Sequence, residues 1–187
     1  RIFSVVKAFK GNAVMTSPHH LSGSERLWEV MENRDFDAAI NIQGDEPIVS
    51  PELITSLYAE LGTGKYEVVT PVYYNRSYED YLSRHVVKVV MDLDFQALYF
   101  SRSPVPFVEK NDFNGFYHHI GMYGYLKTSL QCFIRLSRSP LEITEKLEQL
   151  RFLENNIHIK TIISQYPSIG VDVPGDVDKV EKLLENQ

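Results

Sequence analysis

One cysteine, Cys132, stands among 187 residues. A lone thiol excludes an internal disulfide and fits a reducing compartment, so a cytoplasmic location is expected. No run of about 18 apolar residues occurs, which excludes a helical membrane span. No secretory leader pattern opens the chain. Positive charge is not in excess: 19 Lys and Arg face 25 Asp and Glu, for a net charge of -6. The basic residues are scattered, so neither nucleic acid nor a membrane surface is an expected partner. Anionic small molecules stay open to locally placed Arg and Lys. Internal repeats and low-complexity tracts are also lacking. What is present is a 43% hydrophobic chain of the right length for one α/β domain.

Taken in order, residues 1–10 carry a helical stripe of Ile2, Val5, Val6 and Phe9, and 12–15 reads as a short strand. Ser22 and Glu25 fit a capping box, with Leu27, Val30 and Met31 as the apolar face behind it. Such a helix start exposes backbone N–H groups that suit an anion or a nucleobase edge. His19 and His20 are adjacent, with no third ligand at a metal-like spacing, and read as loop residues. Helix 51–61 follows Ser50-Pro51. Strands are expected at 67–74, 86–91 and 96–100, the last two as a hairpin. The run 117–126 reads as one aromatic strand with His119, Gly121, Tyr123 and Tyr125 on one face. Ser139 and Glu142 open a helix whose stripe runs through Leu147, Leu150 and Leu153. On that pattern Glu148 and Gln149 are a solvated helix face. A strand at 157–163 and a last loop and helix complete a mixed sheet.

Two acidic residues stand out by position. Asp45 follows the apolar stretch 36–42 and precedes the Ser50-Pro51 helix start. It therefore lies just past the carboxyl end of a strand, where open α/β sheets bind ligands. Asp172 likewise stands in a loop, Gly170-Val171-Asp172, that leads into a helix. Two loop carboxylates can hold Mg²⁺ while leaving room for phosphate oxygens and water. That chemistry suits nucleotidyl transfer. An ordinary strand-to-helix turn would also account for Asp45. Arg102, in the proline-stiffened loop 101–106, offers a planar fork to a carboxylate or phosphate.

Eight segments taken together resemble one family. They are Ser22-Gly23-Ser24-Glu25-Arg26, Asn41-Ile42-Gln43-Gly44-Asp45-Glu46-Pro47, Val86-Val87-Lys88-Val89-Val90-Met91-Asp92, Tyr99-Phe100-Ser101-Arg102-Ser103-Pro104-Val105-Pro106, His119-Ile120-Gly121-Met122-Tyr123-Gly124-Tyr125, Ser139-Pro140-Leu141-Glu142, Leu147-Glu148-Gln149-Leu150-Arg151 and Gly170-Val171-Asp172. Their order over about residues 16–178 is similar to that of the 3-deoxy-manno-octulosonate (Kdo) cytidylyltransferases. The resemblance implies an α/β nucleotide-diphospho-sugar transferase fold, a Rossmann-like mixed sheet sandwiched by helices. It implies cytidylyl transfer from CTP to Kdo with Mg²⁺, for lipopolysaccharide synthesis, by a homodimer. By the same resemblance Asp45 and Asp172 match the metal-binding and catalytic aspartates. Ser22, Arg26 and Gln43 match positions near the nucleoside of CTP. Arg102 matches the residue that meets the Kdo carboxylate, and His119, Tyr123, Glu148 and Gln149 match those that meet its hydroxyls.

The family begins with a strand and a loop rich in Arg, Ser, Pro and Lys that cradles the CTP phosphates. Arg1 falls inside the family's pattern. Residues 1–187 are thus expected to be a single nucleotidyltransferase domain, N-terminally incomplete, and inactive as an isolated stretch. Val173 stands where the family usually has a capping threonine, which is expected to weaken that helix start by roughly 1 kcal/mol. A cytidylyltransferase for another 2-keto sugar acid, sialic acid-like, is the nearest alternative. A truncated, non-catalytic binding module is the alternative from a different class.

Overall fold

The sheet is assembled around one strand. A computed structural model describes residues 1–165, 170–171 and 174–185. In chain order its elements are α1 (Ile2–Ala8), α2 (Gly23–Met31), β1 (Ala38–Ile42), α3 (Pro51–Gly62), β2 (Val68–Asn75), α4 (Tyr78–Leu82), β3 (Lys88–Met91), β4 (Ala97–Ser101), β5 (Phe116–His119), β6 (Met122–Leu126), α5 (Lys127–Arg135), α6 (Pro140–Glu145), α7 (Leu150–Glu154), β7 (Ile159–Ser164) and α8 (Pro174–Leu184). Central β2 is buried on both faces from Val68 to Val72, which is why it reads as a nearly unbroken apolar run. Along one edge it pairs in parallel with β7, Val68 opposite Ile159. Along the other it pairs antiparallel with β6 and then β5. β6 carries β1 on its far side, and β5 carries the β3–β4 hairpin.

Helices cover both faces of this mixed sheet, as the α/β reading requires. On one face Leu53, Leu57 and Leu61 of α3 pack on Val69, Ile120 and Met122. On the other, Leu130, Phe133, Leu150 and Phe152 pack on Phe100, Tyr123 and Tyr125. Among the described residues, no helix is long and apolar enough to cross a membrane.

Four local readings change. The run 117–126 is two strands, not one. Val72 opposes His119 and Val69 opposes Gly124, so two residues of β2 face four between them. The break falls where β2 presents Pro71, which has no N–H for the ladder. Thr70 repairs it by donating its hydroxyl to Met122 O at 2.7 Å. A slip of two residues preserves alternation, so the rings of His119, Tyr123 and Tyr125 still form a row, with centroids 5.2 and 5.5 Å apart.

The helix read through 139–153 is also interrupted. Lys146 adopts a left-handed conformation (φ 56°) and separates α6 from α7. Leu147, Glu148 and Gln149 therefore form a turn, and Gln149 is only 4% exposed. Residues 12–15 form no strand, because no described strand offers them a ladder. The Ser22–Glu25 box is offset by one residue: Ser22 Oγ accepts from Glu25 N, but the Glu25 carboxylate accepts from Leu21 N at 2.7 Å. The helix at residues 2–8 forms as read, with none of its residues buried.

Candidate active site

Beyond the end of β1 the elements leave a cleft of about 770 Å³. Its walls are the Gln43–Glu46 loop, the start of α2, the β5–β6 break, the loop after β4 and the α6–α7 turn. Ser22, Gln43, Asp45, Arg102, His119, Tyr123, Glu148 and Gln149 all line it, although they are far apart in the chain. Arg26 does not. Its guanidinium donates to Thr16 Oγ1 and to Ser17 O, and it lines a neighbouring hollow that shares Gln43 and Asp45 with the cleft. Asp172 and Val173 lie outside the described residues.

The Asp45 loop is held at both ends. Glu46 N closes a turn on Gln43 O at 3.1 Å, and the Glu46 carboxylate accepts from Gly121 N, also at 3.1 Å. Val171 N donates to Asp45 O at 2.8 Å, so the chain leading to Asp172 passes beside Asp45. Asp45 itself is exposed, and its carboxylate has no partner among the described residues. A free hard-oxygen donor at an open cleft fits a divalent cation completed by water and phosphate oxygens. Among the described residues no three His, Cys, Asp or Glu side chains gather as a ligand cluster.

Arg102 is clamped by its neighbours. Its backbone N donates to Glu145 Oε2 at 2.9 Å, and its carbonyl accepts from Lys88 Nζ. Its Nε donates to Glu145 O at 3.0 Å and its Nη1 to Arg84 O at 3.1 Å. The remaining guanidinium N–H groups are left for an anion. Lys88, fully buried, also donates to Ser83 O and Val86 O, which saturates its three donors. Burial draws its pKa down to about 8, against the opposing pull of Glu145.

The cleft floor holds unpaired polar atoms. Ser24 Oγ donates to Glu148 Oε1 at 3.0 Å, while Glu148 Oε2 and the Tyr123 hydroxyl are shielded from water and have no hydrogen-bond partner among the described residues. Burial pushes the Glu148 carboxyl above its ordinary value and the Tyr123 phenol well above 10. Buried polar atoms left unpaired are costly, and ligand hydroxyls would satisfy them. His119 Nε2 lies 2.9 Å from Thr70 Oγ1, whose single proton goes to Met122 O. Nε2 therefore carries the imidazole proton, and Nδ1 is left as an acceptor.

Burial lowers the pKa of His119 to about 3 and that of its neighbour His118 to about 4, from 6.5. Between these values the unfolded chain binds more protons than the folded one. Stability is therefore complete above about pH 6.5 and falls as pH drops, by up to about 1.4 kcal/mol per pH unit for each histidine. Urea midpoints should be lower at pH 5.5 than at 7.5, and His119→Gln should narrow that difference. Equal narrowing by a surface His158→Gln control would refute the assignment.

Lys88, Glu145 and His118 carried no role in the sequence reading. A lysine inside Val86-Val87-Lys88-Val89-Val90 was the one available signal, since a charge in an apolar strand needs partners.

A mixed sheet with an acidic loop at the end of β1 and a polar cleft beyond it is an arrangement suited to a nucleotidyltransferase. A solved CMP:2-keto-3-deoxy-manno-octonic acid synthetase complexed with CTP superposes with a TM-score of 0.91 at 35% identity, covering 99% of this chain and 77% of that one. At 14% identity the 4-diphosphocytidyl-2C-methyl-D-erythritol synthase of Anaerococcus prevotii shares the fold, with a TM-score of 0.60 over 98% of this chain and 75% of that one. The cytidylyltransferase family model matches residues 1–162. The 3-deoxy-manno-octulosonate cytidylyltransferase of Geobacter metallireducens is 43% identical over 207 residues, covering all of this chain and 79% of that protein. That of Parabacteroides distasonis is 38% identical over 199 residues, with the same coverage. The chain belongs to the cytidylyltransferase family, among its 3-deoxy-manno-octulosonate cytidylyltransferases.

Proposed function

We propose that this enzyme transfers the cytidylyl group of CTP to the anomeric hydroxyl of Kdo, giving CMP-Kdo and pyrophosphate. The observation that carries the reading is one cleft with an acidic loop, a clamped guanidinium and a floor of unpaired hydrogen-bonding groups. The anomeric oxygen attacks the α-phosphorus, the bond to the β-bridging oxygen breaks, pyrophosphate leaves, and the hydroxyl proton passes to solvent. Asp45, with Asp172, would hold Mg²⁺. When bound, the ion would neutralise charge on the triphosphate oxygens. Ser22, Gln43 and, from the adjoining hollow, Arg26 would face the nucleoside. Arg102 would pair with the sugar carboxylate, and His119 Nδ1, the Tyr123 hydroxyl, Glu148 and Gln149 would bind its hydroxyls.

The single cysteine and the dispersed charge support a cytoplasmic enzyme with no nucleic-acid or membrane partner. By the same resemblance it would act in lipopolysaccharide synthesis, as a homodimer. Pyrophosphate release by the full-length protein, with CTP and Mg²⁺ and with or without Kdo, tests the reaction. Release should require Kdo, and a sialic acid should not replace it. Arg102→Met should raise the KM for Kdo by about 10- to 100-fold, as expected for a lost hydrogen-bonded charge, and leave the KM for CTP within about twofold. Release with sialic acid in preference to Kdo would refute the substrate.

A further inference from the structure

His118 stands next to His119 on β5 but belongs to a separate hydrogen-bond chain. Its Nδ1 lies 2.8 Å from the Tyr73 hydroxyl. The Tyr73 oxygen accepts from Asn75 Nδ2 at 3.0 Å, and the same amide nitrogen donates to Asp80 Oδ2 at 2.9 Å. The amide oxygen of Asn75 accepts from Ser77 N at 2.8 Å. An amide with a backbone N–H on its oxygen and a carboxylate on its nitrogen has one orientation. The Tyr73 oxygen thus accepts from Asn75, and among the described residues the acceptor within reach of its own proton is His118 Nδ1. A neutral imidazole that accepts at Nδ1 carries its own proton on Nε2. That N–H has no acceptor among the described residues, and His118 lines the same cleft as Arg102 and His119.

We infer that His118 is a further substrate-binding residue: its Nε2–H donates to an oxygen of the acid sugar in the cleft, and the Asp80–Asn75–Tyr73 chain holds it in the donating tautomer. This rests on the reading of the cleft as an acid-sugar cytidylyltransferase site. Adjacent histidines then play opposite parts, His118 offering a proton and His119 a lone pair. The site can tell a sugar oxygen that only accepts, such as a carboxylate, from a hydroxyl that can donate.

Two measurements test it. A long-range ¹H–¹⁵N spectrum of the ¹⁵N-labelled full-length protein at pH 7 should show His118 protonated on Nε2, and Tyr73→Phe should mix its tautomers. A His118 protonated on Nδ1 in the parent protein would overturn the inference, whether or not Kdo is the substrate. In kinetics, His118→Phe keeps the ring and loses the donor. It should raise the KM for Kdo about tenfold and leave that for CTP within about twofold. Tyr73→Phe should raise the KM for Kdo less, and the double variant should be no worse than His118→Phe alone, because Tyr73 acts through His118. Unchanged KM for Kdo in His118→Phe, with the parent protein turning Kdo over, would overturn the inference and leave the proposed reaction standing. A parent protein that fails to turn Kdo over would refute the reaction itself, and with it the sugar contact assigned to His118.

Discussion

Asp45→Ala protein should fold as the parent does and lose Kdo-dependent pyrophosphate release by about 10³-fold. The first half follows from exposure: Asp45 supports its surroundings through its backbone, by the Val171 N to Asp45 O bond, and its side chain has no described partner. Removing such a surface carboxylate should change stability by no more than about 0.5 kcal/mol. The second half follows from the proposed role. A cation offsetting charge on a triphosphate is worth several kcal/mol in the transition state, and about 4 kcal/mol corresponds to that loss of rate. Asp45→Asn separates charge from shape. It keeps the size and an oxygen, weakens the donor, and should be nearly as inactive. Raising the Mg²⁺ concentration should rescue Asp45→Asn in part and Asp45→Ala less. Melting curves and pyrophosphate assays on the full-length proteins suffice. Activity of Asp45→Ala within tenfold of the parent would remove Asp45 from the reaction.

Glu142→Ala should destabilise the fold by about 3–5 kcal/mol, the usual result of breaking one side of a buried ion pair. Glu142 is 3% exposed, as is Arg151. The Arg151 Nε and Nη2 donate to its two oxygens at 2.7 and 2.6 Å, a bidentate fork. Ser139 N and Arg138 Nε add bonds at 3.1 and 3.2 Å. Burial alone would raise the Glu142 carboxyl, but these donors, Arg151 first, outweigh it and hold it below 4.5. Without Glu142 the guanidinium stays buried against the Phe133 ring, 4.2 Å from its centroid, with its charge uncompensated.

The sign of the pH effect is fixed by the lowered carboxyl. The stability that Glu142 supplies is present above about pH 4.5 and is lost as pH falls through its folded-state pKa. The gap in urea stability between the parent and Glu142→Gln should therefore close on acidification below that value. Because the pair spans α6 and α7, Glu142→Ala should also loosen the Glu148–Gln149 turn and raise the KM for Kdo at temperatures where the protein is still folded. A stability loss under 1 kcal/mol would mean that the site relaxes to admit water around Arg151.

Local chemistry made much of this legible. Ser50 with Pro51, and Ser139 with Glu142, stand at helix starts, where their side chains can meet free backbone N–H groups. Two strand-like runs, 86–91 and 96–100, so close in the chain that a tight turn must join them, made the hairpin legible, and it pairs from Lys88–Ser101 onward. The place of Asp45, just past a strand, was visible because an apolar run and a helix start bracket it. The break at Ile120–Gly121 was not visible in the aromatic strand pattern. Its cause, Pro71, lies on another strand. Glu148 and Gln149 read as a solvated helix face because periodicity cannot register that Lys146 turns left-handed, or that Arg151 reaches back to Glu142.

Periodicity, capping residues and ordered motifs act over a few residues of chain, so the helix starts, the hairpin, the loop position of Asp45 and the family resemblance could all be read from residue order. Protonation, burial and pairing in the cleft depend on partners that are distant in the chain. Thr70 meets His119 across 49 positions, and Ser24 meets Glu148 across 124. Those contacts hold His119 in one tautomer, help bury Glu148 and, with the chain through Tyr73, give His118 a free donor. They exist only once β2, β5 and the α6–α7 turn have packed together, because a hydrogen bond is set by distance in space and not by spacing in sequence.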